Sequence, residues 1–148
     1  MGFDVRGRKP TAPEGKYFHN NIWWWPPLWA YCLEVAPDIA GKVTYAFSND
    51  GDGLDEADAL ALAARLREEL ESGRTAEFER QYMSLKTSEL CPVCAGTGVV
   101  EKGEGAIACL SCRGQGIKHP PAVDYPFSEE NVRQFAKFLE NCGGFEIW

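Results

Sequence analysis

The stretch that decides how this chain is organised is CPVCAGTGVVEKGEGAIACLSCRGQG, Cys91–Gly116. It carries one pattern twice, because Cys91–Gly98 and Cys109–Gly116 both read C-x-x-C-x-G-x-G. Two cysteines three positions apart reach one metal ion from a tight turn, and two such turns supply the four thiolates of a tetrahedral site. The glycines admit backbone conformations closed to other residues, which lets amide N–H groups turn toward the sulfurs. Fourteen residues separate Cys94 from Cys109, giving C-x2-C-x14-C-x2-C, just under the usual window for zinc. The pattern predicts one zinc ion on Cys91, Cys94, Cys109 and Cys112. Four cysteines fill the tetrahedron and leave no position for a reacting water, so the expected role is structural. A redox reading would need one C-x-x-C opening a helix in a thioredoxin-like pattern, which the sequence lacks.

The doubled motif resembles the cysteine-rich zinc domain of DnaJ-type co-chaperones, where C-x-x-C-x-G-x-G repeats pair to bind zinc. The resemblance covers residues 91–116, and the two repeats here are half of that family's four, enough for one zinc. The sequence has no HPD-bearing J-domain, so the resemblance implies zinc ligation by the four cysteines and no co-chaperone activity. The pattern NNIWWWPPLWAYCLEVAP, followed by NDGDGLDEADALALAARL and NVRQFAKFLENCGGF, is similar to small uncharacterised bacterial and phage-encoded proteins. That similarity implies a compact accessory protein and brings no catalytic residues.

Around the cysteine unit the chain reads as a small α+β domain with three to four helices and a short sheet. Residues 1–16 are polar and rich in Pro and Gly, which predicts a flexible arm, and residues 17–148 are expected to form one domain containing the unit at 91–116. Val43, Tyr45 and Phe47 alternate with Thr44 and Ala46 as in a strand. From Leu54 the spacing of Ala59, Leu62, Ala63, Leu66 and Leu70 is helical, with Asp52 or Asp55 as cap and Ser72-Gly73 as stop. A second helix is expected over Thr75–Leu85. Ser128 caps a last one, whose stripe is Val132, Phe135, Ala136, Leu139 and Cys142, and FEIW adds an edge strand.

Four tryptophans stand in the seven residues Trp23–Trp29. Pro26 and Pro27 open a helix, and Trp29, Cys32, Leu33 and Ala36 share one of its faces. Trp29 is therefore core. Trp23, Trp24 and Trp25 precede the prolines in extended backbone, where neighbours point to opposite sides. Either Trp24 is buried with Trp23 and Trp25 partly exposed, or the reverse; the partner surface is assigned to Trp23 and Trp25.

Net charge is −7, and residues 49–90 alone hold eleven acids against five bases. This disfavours nucleic acid, whose binders need a basic field. Glu68, Glu69 and Glu71 on the acidic helix are the candidate contacts for a protein partner. SNDGDGLDEADA is only superficially a calcium loop: Ser48 and Ala59 stand where its first Asp and bidentate Glu belong, so a turn plus helix cap is preferred. His119, seven residues past Cys112, is a spare metal ligand at most. Neither histidine lies in a known catalytic motif, and no catalytic residue is assigned. No apolar run approaches the ~20 residues of a membrane span, and no secretory signal opens the chain. The expected setting is cytoplasmic, bacterial or in the host of a phage. The expected function is non-catalytic protein binding of a regulatory or inhibitory kind. Nucleic-acid binding through the zinc unit and exposed aromatics is the alternative, and a small enzyme the third.

Overall fold

Phe3 and Val5 alternate with Asp4 and Arg6, and this period of two makes the N-terminus a strand rather than a flexible arm. A computed structural model describes residues 2–84, 89–118 and 125–148. In chain order the elements are β1 (Gly2–Gly7), a 3-10 turn (Pro13–Gly15), β2 (Tyr17–Asn21), α1 (Trp25–Val35), α2 (Pro37–Ala40), β3 (Gly53–Leu54), α3 (Glu56–Glu71), α4 (Arg74–Ser84), β4 (Glu89–Leu90), β5 (Val99–Lys102), β6 (Gly105–Ala108), β7 (Ile117–Lys118), α5 (Glu129–Asn141) and β8 (Phe145–Ile147). They form two compact units, Met1–Gln81 with Tyr125–Trp148, and Tyr82–Asp124. The mixed helix-and-sheet class is as expected. The division is not, since one domain after an arm was anticipated.

In the first unit four antiparallel strands run in the order β2-β1-β8-β3. FEIW thus supplies an inner strand, β8, and not an edge. The inward side chains Phe3, Val5, Phe18, Leu54, Phe145 and Ile147 are buried. Phe135 of α5 meets the Phe18 ring at 5.0 Å, and Trp29 of α1 meets Phe145 at 6.5 Å, so helices cover that face. Residues 8–15 are held down by the end of α5. The N–H groups of Arg8, Lys9 and Thr11 donate to the carbonyls of Gly144, Cys142 and Asn141 at 2.7–3.0 Å, satisfying groups that a helix C-terminus leaves open. Gly15 sits so close that a Cβ there would come within 1.8 Å of the Asn141 carbonyl oxygen.

The helices follow the expected periodicity. Asp55 caps α3 by accepting from the Asp58 N–H at 2.8 Å, and Ala59, Leu62, Ala63 and Leu66 are buried. Ser128 caps α5, accepting from the Asn131 N–H at 3.1 Å, over a stripe that also includes Phe138. Leu85 lies outside the described residues, as does His119. The strand expected at Val43–Phe47 does not form. Asp52 accepts the Thr44 and Tyr45 N–H groups at 2.9 Å, and the Ala46 carbonyl takes the indole N–H of Trp25, so side chains occupy the groups a ladder would use. Asp52 also accepts from its neighbour Gly53, at 2.8 Å, so the acid of the apparent calcium loop is committed to backbone N–H groups. No helix among the described residues is long and apolar enough to cross a membrane.

Candidate metal centre

The two cysteine repeats fold as two copies of one turn, with matching dihedral angles and hydrogen bonds. Ala95 and Arg113 both take left-handed φ values, 54° and 55°, and the final glycines Gly98 and Gly116 follow at 78° and 76°. Each repeat then binds the other. The Cys91 N–H donates to the Gly116 carbonyl at 3.0 Å, and the Cys109 N–H donates to the Gly98 carbonyl at 2.9 Å. A Cβ on Gly98 would come within 2.6 Å of the Gly114 carbonyl oxygen, and one on Gly116 within 2.5 Å of the Gly96 carbonyl oxygen. The second glycine of each repeat is therefore needed for close approach as well as for its dihedral angles. The fourteen-residue spacer folds as the β5–β6 hairpin, while β4 and β7 pair on either side of the repeats.

This pairing gathers Cys91, Cys94, Cys109 and Cys112 with their sulfur atoms all within 4.8 Å of one another. Across the repeats Cys91 and Cys109 stand 3.9 Å apart, and Cys94 and Cys112 stand 3.7 Å apart. Four sulfurs at about 2.3 Å from a central ion form a tetrahedron with edges of about 3.8 Å. A disulfide would require about 2.05 Å. The sulfurs are spaced for a metal ion.

Backbone N–H groups are aimed at the sulfurs. All four side chains are buried, and among the described residues Val100 is the partly buried apolar neighbour packed against them. The Gly98 N–H donates to the Cys94 sulfur at 3.3 Å and the Gly116 N–H to the Cys112 sulfur at 3.1 Å, equivalent bonds in the two repeats. The Cys94 backbone N–H, foremost among several donors, lowers the Cys91 thiol to about 6. Such donors spread the negative charge that four thiolates around a divalent ion would leave.

Cys32 and Cys142 lie elsewhere, buried and free. Burial pushes the Cys142 thiol up to about 11, and that of Cys32 higher still. Thiol titration should consequently proceed in steps. The metal-loaded native protein is expected to react slowly at every cysteine; a chelator should release four fast thiols, and denaturant the last two. Six fast thiols on chelation alone would mean that the first unit opens with the second.

The residues assigned to a partner surface are separated by the fold. Trp23 is 45% exposed, its ring edge-on to Tyr125 at 5.5 Å. Trp25 is a correction: it is fully buried, stacked on Phe3 and Trp29, with its indole N–H 2.9 Å from the Ala46 carbonyl oxygen. It faces inward because α1 begins at Trp25 itself, so helical geometry replaces the alternation of an extended chain. On α3, Glu68 and Glu71 are exposed, whereas Glu69 is paired bidentately with Arg74 at 2.7 and 2.9 Å. Asp4, on the open sheet face, accepts from Tyr17 Oη and is 3.0 Å from His19 Nδ1, and the Tyr17 hydroxyl foremost holds its carboxyl below the usual range. No family model, curated protein or solved structure matches this chain.

Proposed function

We propose that this chain is a small non-catalytic protein-binding module, regulatory or inhibitory in role and of bacterial or phage type, in which one structural zinc ion organises the second unit. One observation carries the reading: how that unit places its apolar side chains. Its buried cluster consists of the four cysteines, while Leu90, Val93, Val99, Ile107, Leu110 and Ile117 are exposed, Leu110 by 85%. A unit whose interior is a metal site needs no apolar core, and exposed apolar side chains on such a scaffold are available to a partner. Trp23 adds, in the first unit, a residue type enriched at binding hot spots. Zinc is the ion proposed because thiolate ligands in tetrahedral array select it over magnesium or calcium, and the likeness to DnaJ-type repeats points the same way. The net charge of −7 favours a basic partner, with Glu68 and Glu71 on the exposed acidic face.

The test is a tagged pull-down from bacterial lysate, with and without nuclease, repeated with Trp23→Ala, Leu110→Ser and the triple variant Glu68→Gln, Glu69→Gln, Glu71→Gln. A stoichiometric protein that survives nuclease and is weakened by Trp23→Ala or Leu110→Ser supports the reading. Material lost on nuclease treatment would transfer the function to nucleic acid. Unchanged capture by the triple variant would remove the acidic face from the binding surface.

A further inference from the structure

The direction of the backbone groups in β2 follows from two observations on β1. The Gly7 N–H donates to the Lys16 carbonyl at 3.1 Å, and Asp4 exchanges two bonds of 2.7 Å with Trp148. In an antiparallel ladder successive residues turn their N–H and C=O groups to opposite sides. Phe3, Val5 and Gly7 therefore address β2, while Asp4 and Arg6 address β8. Phe3 lies opposite Asn20 and Val5 opposite Phe18. Phe18 and Asn20 thus direct their backbone groups at β1, and Tyr17, His19 and Asn21 direct theirs outward, where the His19 carbonyl already accepts one bond, from the Asn20 side-chain amide at 2.9 Å, and keeps its second lone pair. β2 ends the sheet, and among the described residues no further strand pairs with it.

Exposed edges are normally blunted by lysine, proline, a bulge or extreme shortness. β3, at the other end of the sheet, is two residues long. The five residues of β2, YFHNN, contain no lysine or proline, and their register with β1 is unbroken from Asn21 to Tyr17. Beside this edge lies an open cavity of about 360 Å³, lined by Asn20, Asn21, Trp24, Glu130, Asn131 and Gln134 among others. A strand laid against β2 would have its residue opposite Asn20 on Asn20's own face, which is the face of this cavity. An indole, four side-chain amides and a carboxylate suit a long basic side chain, its stem on Trp24 and its head toward Glu130. Asn20 and Asn131 already satisfy each other through paired amides at 2.8 and 3.0 Å, so the far wall is set before anything binds. Glu129 and Glu130 outnumber Arg133 at this helix start, and the chain as a whole carries −7.

We propose that β2 is a docking edge for an extended basic segment of another protein, which adds as a fifth strand and places a lysine or arginine in the cavity beside Asn20. This deepens the protein-binding reading and rests on it, but it uses neither Trp23 nor the cysteine unit. A second copy of the chain fits less well, because the inward side chains of its own β2, Phe18 and Asn20, are already buried in its core and would leave the cavity empty.

The experiment is selection of a displayed random peptide library on the full-length, zinc-loaded protein, followed by affinity measurement with the synthesised winners. His19→Pro deletes one outward N–H and no ladder bond to β1; His19→Lys places a charge on the edge and guards against a proline-specific folding defect. Enriched peptides are expected to carry lysine or arginine, to lose about tenfold in affinity for His19→Pro, the scale of one ladder hydrogen bond, and to bind His19→Lys more weakly through like-charge repulsion. Amide exchange at Tyr17, His19 and Asn21 should slow when they bind. Failure to enrich any peptide overturns the proposal, as do winners that bind both variants like the parent protein. Self-association abolished by His19→Pro would also overturn it and assign the edge to a second copy. If the pull-down recovers a stoichiometric partner that both His19 variants still bind equally, the edge alone is refuted and the wider reading stands.

Discussion

Replacing Cys91 or Cys109 by serine is expected to abolish metal binding and to unfold residues 91–116. Either change removes one of four ligands and leaves three buried cysteines too few to complete a tetrahedral site. The free energy at stake is on the order of 10 kcal/mol, as for structural zinc in comparable small sites, and little else in the unit could replace it. Among the described residues, Val100 is the one apolar side chain besides the cysteines that packs into that interior. Metal analysis should fall from one zinc per chain to none, and the amide signals of Ala95–Gly98 and Arg113–Gly116 should collapse to random-coil positions. A serine variant that binds no metal and keeps those signals dispersed would end the structural reading. Chelation of the parent protein is expected to reproduce the variant's spectrum, and zinc to restore it.

The second large effect belongs to Trp25. Trp25→Ala is expected to cost about 3–5 kcal/mol and to lower the melting temperature by roughly 10 °C, because it opens a cavity at the centre of the first unit. It also leaves the Ala46 carbonyl without its indole donor and takes the partner from Phe3, Trp29 and Phe135. Trp23→Ala, two positions away, should cost about 1 kcal/mol or less, since it loses little beyond its edge contact with Tyr125. The comparison is made by thermal and denaturant melts of the two variants. Equal losses would mean that Trp23 carries structural weight that its exposure does not suggest.

What could be read from the sequence was in each case set by neighbours along the chain. The C-x-x-C-x-G-x-G turns are local structures, so their residues could be named in advance as the members of one site. The stripes of α3 and α5 and their caps at Asp55 and Ser128 are likewise local, and they were legible. The N-terminal strand was not. Gly2–Gly7 looks like a polar arm in isolation, although Phe3 and Val5 alternate, because its second partner, β8, lies at the opposite end of the sequence. The segment around Val43 failed for the complementary reason: its alternation is real, but Asp52 takes the Thr44 and Tyr45 N–H groups that a ladder would need.

The cavity beside β2 shows the same limit. Asn20 on the inward face of a strand was a visible irregularity, yet its meaning depends on Asn131, 111 residues later. By itself, then, the sequence determined the two cysteine turns that the fold brings together, the helices and their buried faces, and the mixed α/β character, because each turn and each helix face depends on side chains close along the chain. Only the tertiary structure decided that Trp25 is core and Trp23 is surface, that the two termini pair at the middle of the sheet, and that β2 is left as its open edge. Those outcomes depend on which distant segments compete for the same apolar face and the same backbone hydrogen bonds, and that competition is resolved only when the chain is folded.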